Sequence, residues 1–201
     1  MKASAVKVIS AALGLPCWQV RWDSQVGLDM NFGPPSMKVR EPRTISGGSR
    51  RVRAGFARRG IYLHGTHWLV AYPGTWRLEL ADGLIVRDSS ASKWLDIAVA
   101  RLKGEILDGM RIDAHSGDTT FYFDLGGRVV VRGGVGLAPD DELWSMHDRT
   151  RFVSVHGGGA YSSGSVKQSE AARIPIAADD TRTFVLARNR RLRRQIAGID
   201  L

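Results

Sequence analysis

The stretch "TTFYFDLGGRVVV", Thr119 to Val131, decides the fold. Apolar and polar side chains alternate along it, two glycines interrupt, and an apolar run resumes. A period of two belongs to a strand with one face buried, because successive side chains point to opposite sides of a sheet. Phe121 and Phe123 then project one way, Tyr122 and Asp124 the other. Gly126-Gly127 permits the positive φ angles of a tight turn. The stretch reads as a framework hairpin that walls a core. Each buried ring contributes on the order of 2–3 kcal/mol before conformational entropy is subtracted.

The same grammar extends outward. "MRIDAH" and a turn at Ser116 to Asp118 add a strand upstream. Before it, Ser92 to Leu107 has helical spacing: Leu95, Val99, Leu102 and Ile106 form one apolar stripe, with Ser92 as an N-cap and Gly109 as a stop. Earlier still, "CWQVRW" and "GLDMNF" form a hairpin around Ser24-Gln25 and stop at "GPP", since proline supplies no ladder donor. Ile61 to Tyr72 reads as one long strand, answered after "PGT" by Trp76, Leu78 and Leu80 on a common face and, past "ADG", by "LIVRD". Downstream, "ELWSMHD" and "TRFVSVHGG" read as strands and "GGGAYSSGS" as a flexible segment. Val6, Ile9 and Leu13 fit one face of a short helix at the start, and a second helix fits from about Val185 to Ile196.

Strands in runs, not alternating with helices, predict an α+β fold. Its centre is an antiparallel β-sheet or partly open barrel, with one main helix (about 92–107) packed on it. Residues 1–176 read as one domain carrying a basic loop at about 38–59, and 177–201 as a basic C-terminal tail. The halves before and after the main helix look only loosely alike, and no internal repeat is expected.

The 201 residues are 43% hydrophobic, enough for a sizeable core. The single cysteine, Cys17, excludes an internal disulfide and a cysteine-rich metal site. No apolar run approaches the ~20 residues of a membrane span, so no membrane partner is expected and the cytoplasm is the expected compartment.

The net charge of +9 is concentrated in two segments. Lys38 to Arg59 holds eight basic residues against Glu41, and Arg188 to Arg194 holds five against none, so the remainder is mildly acidic. Candidate contacts for nucleic acid or an acidic partner are Arg50, Arg51, Arg53, Arg58 and Arg59 in a long mobile loop, with Arg188, Arg190, Arg191, Arg193 and Arg194 in the tail. Such clusters hold phosphates without sequence preference by releasing counterions.

Catalytic patterns do not assemble. "HGGGAYSSG" at His156 has the glycines of an oxyanion segment, but no serine stands in the G-x-S-x-G frame that would supply the nucleophile. His64 and His67, three apart on a strand, point to opposite faces and cannot share a metal. Asp140 to Glu142 reads as a solvated turn, and Cys17 as a buried apolar residue. An enzyme would have to be built from distant residues such as His64, His67, Asp113 and Asp124. No cofactor motif is present.

The order "LGLPCWQV", "NFG", "YLHGTHWLV", "WRLEL", "LKGEILDGMRI", "TTFYFDLGGRVVV" and "ELWSM" resembles a family of small uncharacterised bacterial domains, some of them immunity-like or partner-binding. The resemblance runs from Leu13 to Met146 and consists of strand faces, turns and a helix stripe. It implies a non-enzymatic protein-binding domain and transfers no catalytic residue. The alternative is a nucleic-acid-associated protein using the basic loop and the arginine-rich tail.

Overall fold

Apolar side chains at every second position give the chain its strands, and two short stretches of helical period give it the helices that close its core. The computed structural model describes residues 1–133, 137–166, 173–176 and 182–185. In chain order the elements are α1 (Ala3–Ala12), β1 (Cys17–Asp23), β2 (Gly27–Phe32), β3 (Ser36–Arg40), α2 (Arg50–Phe56), β4 (Gly60–His64), β5 (His67–Ala71), β6 (Trp76–Glu79) and β7 (Ile85–Arg87). Then follow α3 (Ser92–Leu102), β8 (Leu107–Ile112), β9 (Thr119–Phe123), β10 (Arg128–Val131), β11 (Glu142–His147), β12 (Arg151–His156), β13 (Ala160–Ser165), β14 (Arg173–Pro175) and β15 (Arg182–Val185).

All described pairings are antiparallel. The larger sheet has the order β1-β2-β5-β11-β12-β13-β14, and the second β15-β8-β9-β10-β6-β7. The fold is therefore α+β, and its sheets are not closed into a barrel. They share one core: Phe121 of β9 meets Trp144 of β11 edge-on at 5.4 Å, and Phe32 of β2 stacks on Phe123 of β9 at 6.5 Å. Ala5, Val8, Ile9 and Ala12 of α1 and Leu95, Ala98, Val99 and Leu102 of α3 are buried against it.

The strand orders reveal a two-fold internal repeat that the sequence conceals. The first half supplies β1, β2 and β5 to the larger sheet and β6 and β7 to the other. The second half supplies β8, β9 and β10 to the smaller sheet and β11 and β12 to the larger. Leaving out β13 and β14 of the larger sheet and β15 of the smaller, each sheet has the same plan, three strands of one half beside two of the other.

Residue contacts obey the same symmetry. Pro16 bridges Ile106, and around that point the Gly14 amide donates to the Leu107 carbonyl (2.8 Å) as the Gly104 amide donates to that of Cys17 (2.7 Å). The Cys17 amide reaches the Glu105 carbonyl (2.8 Å), and the Leu107 amide that of Leu15 (3.2 Å). Gly14 and Gly104 both have positive φ, 82° and 98°, and each turns its chain out of the preceding helix. The Tyr72 amide donates to the Leu143 carbonyl, and the Arg132 amide to that of Thr75. Asp23 and Asp113 each accept backbone amides two and three residues ahead in the hairpin turn that follows. β1 and β8 both slip register one residue after pairing with Phe32 and Phe123.

Other expectations are also corrected. The main helix stops at Leu102, because Gly104, not Gly109, takes the left-handed conformation. In α1 the buried stripe is Ala5, Val8, Ile9 and Ala12; Val6 and Leu13 are half-buried. Ile61 to Tyr72 is two strands, broken at Gly65-Thr66. Gly65 passes so close to β2 that a Cβ would collide with the Phe32 carbonyl, and its amide donates to Asn31 Oδ1 (3.0 Å). "GGGAYSSGS" is not a flexible segment: after one turn of 3-10 helix at Gly157–Gly159 it pairs along β12 as β13. Of the expected C-terminal helix, Val185 belongs to β15, which pairs with β8; residues 186–201 lie outside the described residues.

Candidate interaction arm

Between the matched strands, the first half holds an insertion that the second half lacks. Phe32 pairs with His67 across β2 and β5, and Phe123 meets Gly127 at the equivalent place between β9 and β10. Residues 33–66 span the first interval and 124–126 the second. The excess is β3, α2 and β4, which form a two-stranded sheet of their own beside neither large sheet. This arm holds the whole of the segment expected as a mobile basic loop; within it 38–40 belong to β3 and Arg50–Phe56 to α2, while 41–49 are irregular.

Its internal contacts explain the order. Ser49 caps α2, accepting from the Val52 amide (3.3 Å). The Arg40 guanidinium donates to the last carbonyls of that helix, Gly55 (3.0 Å) and Phe56 (3.3 Å), where a cation complements the helix dipole. It also reaches the Tyr62 hydroxyl (3.2 Å). Arg40 and Arg43 both lie over the Phe56 ring, at 4.3 and 4.7 Å from its centroid. Arg53 donates to the Gly48 carbonyl (2.7 Å), and Arg59 pairs with Glu41 (2.9 Å). Arg50, Arg51 and Arg58 are exposed. The tail arginines Arg188, Arg190, Arg191, Arg193 and Arg194 lie outside the described residues, so no contact between the two basic segments is described.

Register gives the arm two unlike faces. Met37 pairs with Leu63 and Val39 with Ile61. These four share one face and are exposed at 67, 52, 45 and 66%. Alternate positions put Lys38 opposite Tyr62, and Arg40 opposite Gly60, on the other face. The signal is in the sequence, in "SMKVR" and "GIYLH", where period two is plain on either side of a concentration of arginines.

A rib of rings ties the arm to the body. Tyr62 lies 6.4 Å from His64, His64 5.7 Å from Trp68, Trp68 5.0 Å from His147 and His147 5.9 Å from Phe152. Trp68 and His147 are parallel within 2°. Trp68 and His147 cover one face of each other; the remaining pairs in the rib are tilted. Burial holds the imidazoles of His64, His67 and His147 below the ordinary histidine pKa, with Lys38 adding to the effect at His64.

The residues considered for catalysis are not brought together. Asp113 caps the β8–β9 turn, where the amides of Ser116 and His115 hold its carboxyl below the usual range. Asp124 sits beyond the other end of β9 and accepts from the Ile106 amide (2.7 Å). His147 Nε2 lies 3.1 Å from Ser145 Oγ, and His156 Nε2 3.1 Å from Ser162 Oγ. Both serines are buried, at 1 and 6% exposure, so neither oxygen faces an incoming substrate. The remaining nitrogen of His147 has no partner, and that of His156 meets the Asp140 carbonyl, so no carboxylate orients either ring. Burial pushes the Cys17 thiol up, as suits a packed apolar residue. Among the described residues no cluster of histidine, cysteine and carboxylate side chains could hold a metal ion, and no helix is long and apolar enough to cross a membrane. A shallow cavity of about 320 Å³, lined by Ser116, Asp118, Leu137 and Pro139 among others, includes none of the histidines.

Comparison of the chain with known protein families, curated proteins and solved structures gives no match.

Proposed function

We propose that this chain is a non-enzymatic binding domain that engages another protein through the β3–α2–β4 arm. One observation carries the proposal: four large apolar side chains, Met37, Leu63, Val39 and Ile61, stand exposed in adjacent cross-strand pairs on an element that the second half omits. An isolated exposed leucine is ordinary, whereas a contiguous apolar face on a projecting ribbon signals an interface. Because these side chains are only 45–67% exposed, covering them would contribute roughly 1 kcal/mol each before the cost of association. The partner reading also accords with the implied kinship to partner-binding, immunity-like bacterial domains.

The geometry weighs against the alternative. Phosphate binding would use the arginines but leave the apolar face wet.

The second half supplies the design of the test. Replacing residues 33–66 by the three-residue link Asp-Leu-Gly of positions 124–126 should leave a folded protein. Affinity capture with the full chain should then return a stoichiometric protein partner that the armless variant does not retain. Equal recovery by both would sink the proposal. So would salt-sensitive DNA binding as the only property lost with the arm.

A further inference from the structure

The structure points to a more specific mode, which rests on the arm being the protein-binding element: we infer that β3 receives an extended segment of the partner, added as a third strand, with side chains alternating between apolar and acidic. β3 pairs only with β4 among the described strands, so its other edge presents unpaired amides and carbonyls. Such an edge is a template for strand addition, in which backbone hydrogen bonds supply affinity and alternate side chains supply selectivity.

The chemistry of the incoming strand follows from the register. Along β3, Met37 and Val39 occupy the apolar face and Lys38 and Arg40 the cationic one. A strand laid beside it must place its own alternate side chains on those two faces. Apolar residues would extend the Met37–Val39–Ile61–Leu63 face, and a carboxylate would sit beside the exposed Lys38, since the Arg40 guanidinium is engaged by α2 and Tyr62. A like charge opposite Lys38 would repel, which disfavours a basic segment. The β4 edge offers no such pattern, because Gly60, Tyr62 and His64 leave its other face without a cation. The exposed Arg50, Arg51 and Arg58 add long-range attraction for an acidic chain.

The test uses the full chain and eight-residue peptides. One alternates valine and glutamate. A second has the same composition in two blocks. Two more are the alternating peptide N-methylated at odd or at even positions. Fluorescence anisotropy should show binding by the alternating peptide and at least tenfold weaker binding by the block peptide. One methylated peptide should lose binding and the other keep it, because only one peptide edge faces β3. Amide exchange across residues 36–40 should slow on binding, and Lys38→Glu should weaken affinity at least tenfold.

Equal binding by the block and alternating peptides, equal effects of both methylation patterns, or no peptide binding would overturn strand addition. So would a preference for DNA or anionic vesicles over every peptide. These failures are separable from failure of the arm itself. If the armless variant loses the native partner while the peptides fail, the arm stands and strand addition falls. If the armless variant keeps that partner, both fall.

Discussion

The two halves of the molecule share a plan and differ in what they do with it. At one equivalent slot, β5 and β11 of the larger sheet place Trp68 against His147, while β10 and β6 of the smaller place Arg128 against Glu79. The first is a stacked pair of rings and the second an ion pair of 2.7 Å, extended by Arg77 at 2.6 Å. The smaller sheet keeps a sealed surface, whereas the larger carries the rib that supports the arm. A second contrast lies in the core. Trp76 and Trp144 occupy equivalent positions, each pairing with the last residue of a neighbouring strand, Val131 and Ala71. The Trp144 indole donates to Thr119 Oγ1 (2.8 Å), but Leu28 stands in the equivalent place on β2, and the buried Trp76 indole has no acceptor. One half thus leaves a buried indole without a partner and carries the arm.

The symmetry itself can be broken most forcefully at its centre. Phe32→Ala and Phe123→Ala should each cost about 3–5 kcal/mol in urea denaturation. Each should also unfold the whole protein in one transition, because both large sheets contain strands of both halves. Two separated transitions would show the halves to be independent.

The tryptophans sharpen the contrast. Trp144→Phe should cost about 1–3 kcal/mol more than Trp76→Phe, since only the former gives up a buried hydrogen bond. Equal losses would mean that the indole at position 76 has found an acceptor.

Acid should separate the sheets. The imidazoles of His64, His67 and His147 are held below their ordinary pKa, so the unfolded chain takes up protons that the folded one refuses. Stability should therefore fall as pH drops through and below about 6.5, the unfolded value. His147→Phe, which keeps a ring beside Trp68, should flatten that fall in thermal melts between pH 5 and 7. Glu105 has the opposite sign. Burial raises its pKa, so the folded state holds the proton longer and stability declines as pH rises from the unfolded to the folded pKa; Glu105→Gln should remove that decline.

The smallest effect belongs to the arm. Arg50→Ala, Arg51→Ala and Arg58→Ala should each change stability by less than about 0.5 kcal/mol while weakening partner capture. A large loss of melting temperature would make these arginines structural.

Much of the fold was legible because period two is a local property. "TTFYFDLGGRVVV" and "GLDMNF" announce their strands without reference to anything distant. The repeat was not, because only scattered residues preserve it: Gly14 and Gly104, Arg21 and Arg111, Asp23 and Asp113, Phe32 and Phe123, Trp76 and Trp144. The insertion at 33–66 also shifts the spacing between equivalent residues partway through, so no single period survives. The arm was hidden for a different reason. Arginines and paired glycines suggest a solvated loop, but Arg40 and Arg43 spend their cations on the Phe56 ring and the end of α2. Which of these charges are consumed internally depends on contacts between residues thirteen to sixteen positions apart, such as Arg43 and Phe56 or Arg40 and Phe56.

The exchange of β6 and β7 into the sheet of the other half sets a schedule for synthesis. When residues 76–87 leave the ribosome, the neighbour they need, β10, has not been translated. The nascent chain must carry Trp76, Leu78 and Val86 uncovered until Val131 emerges, which makes this interval the point at which chaperone dependence should be greatest.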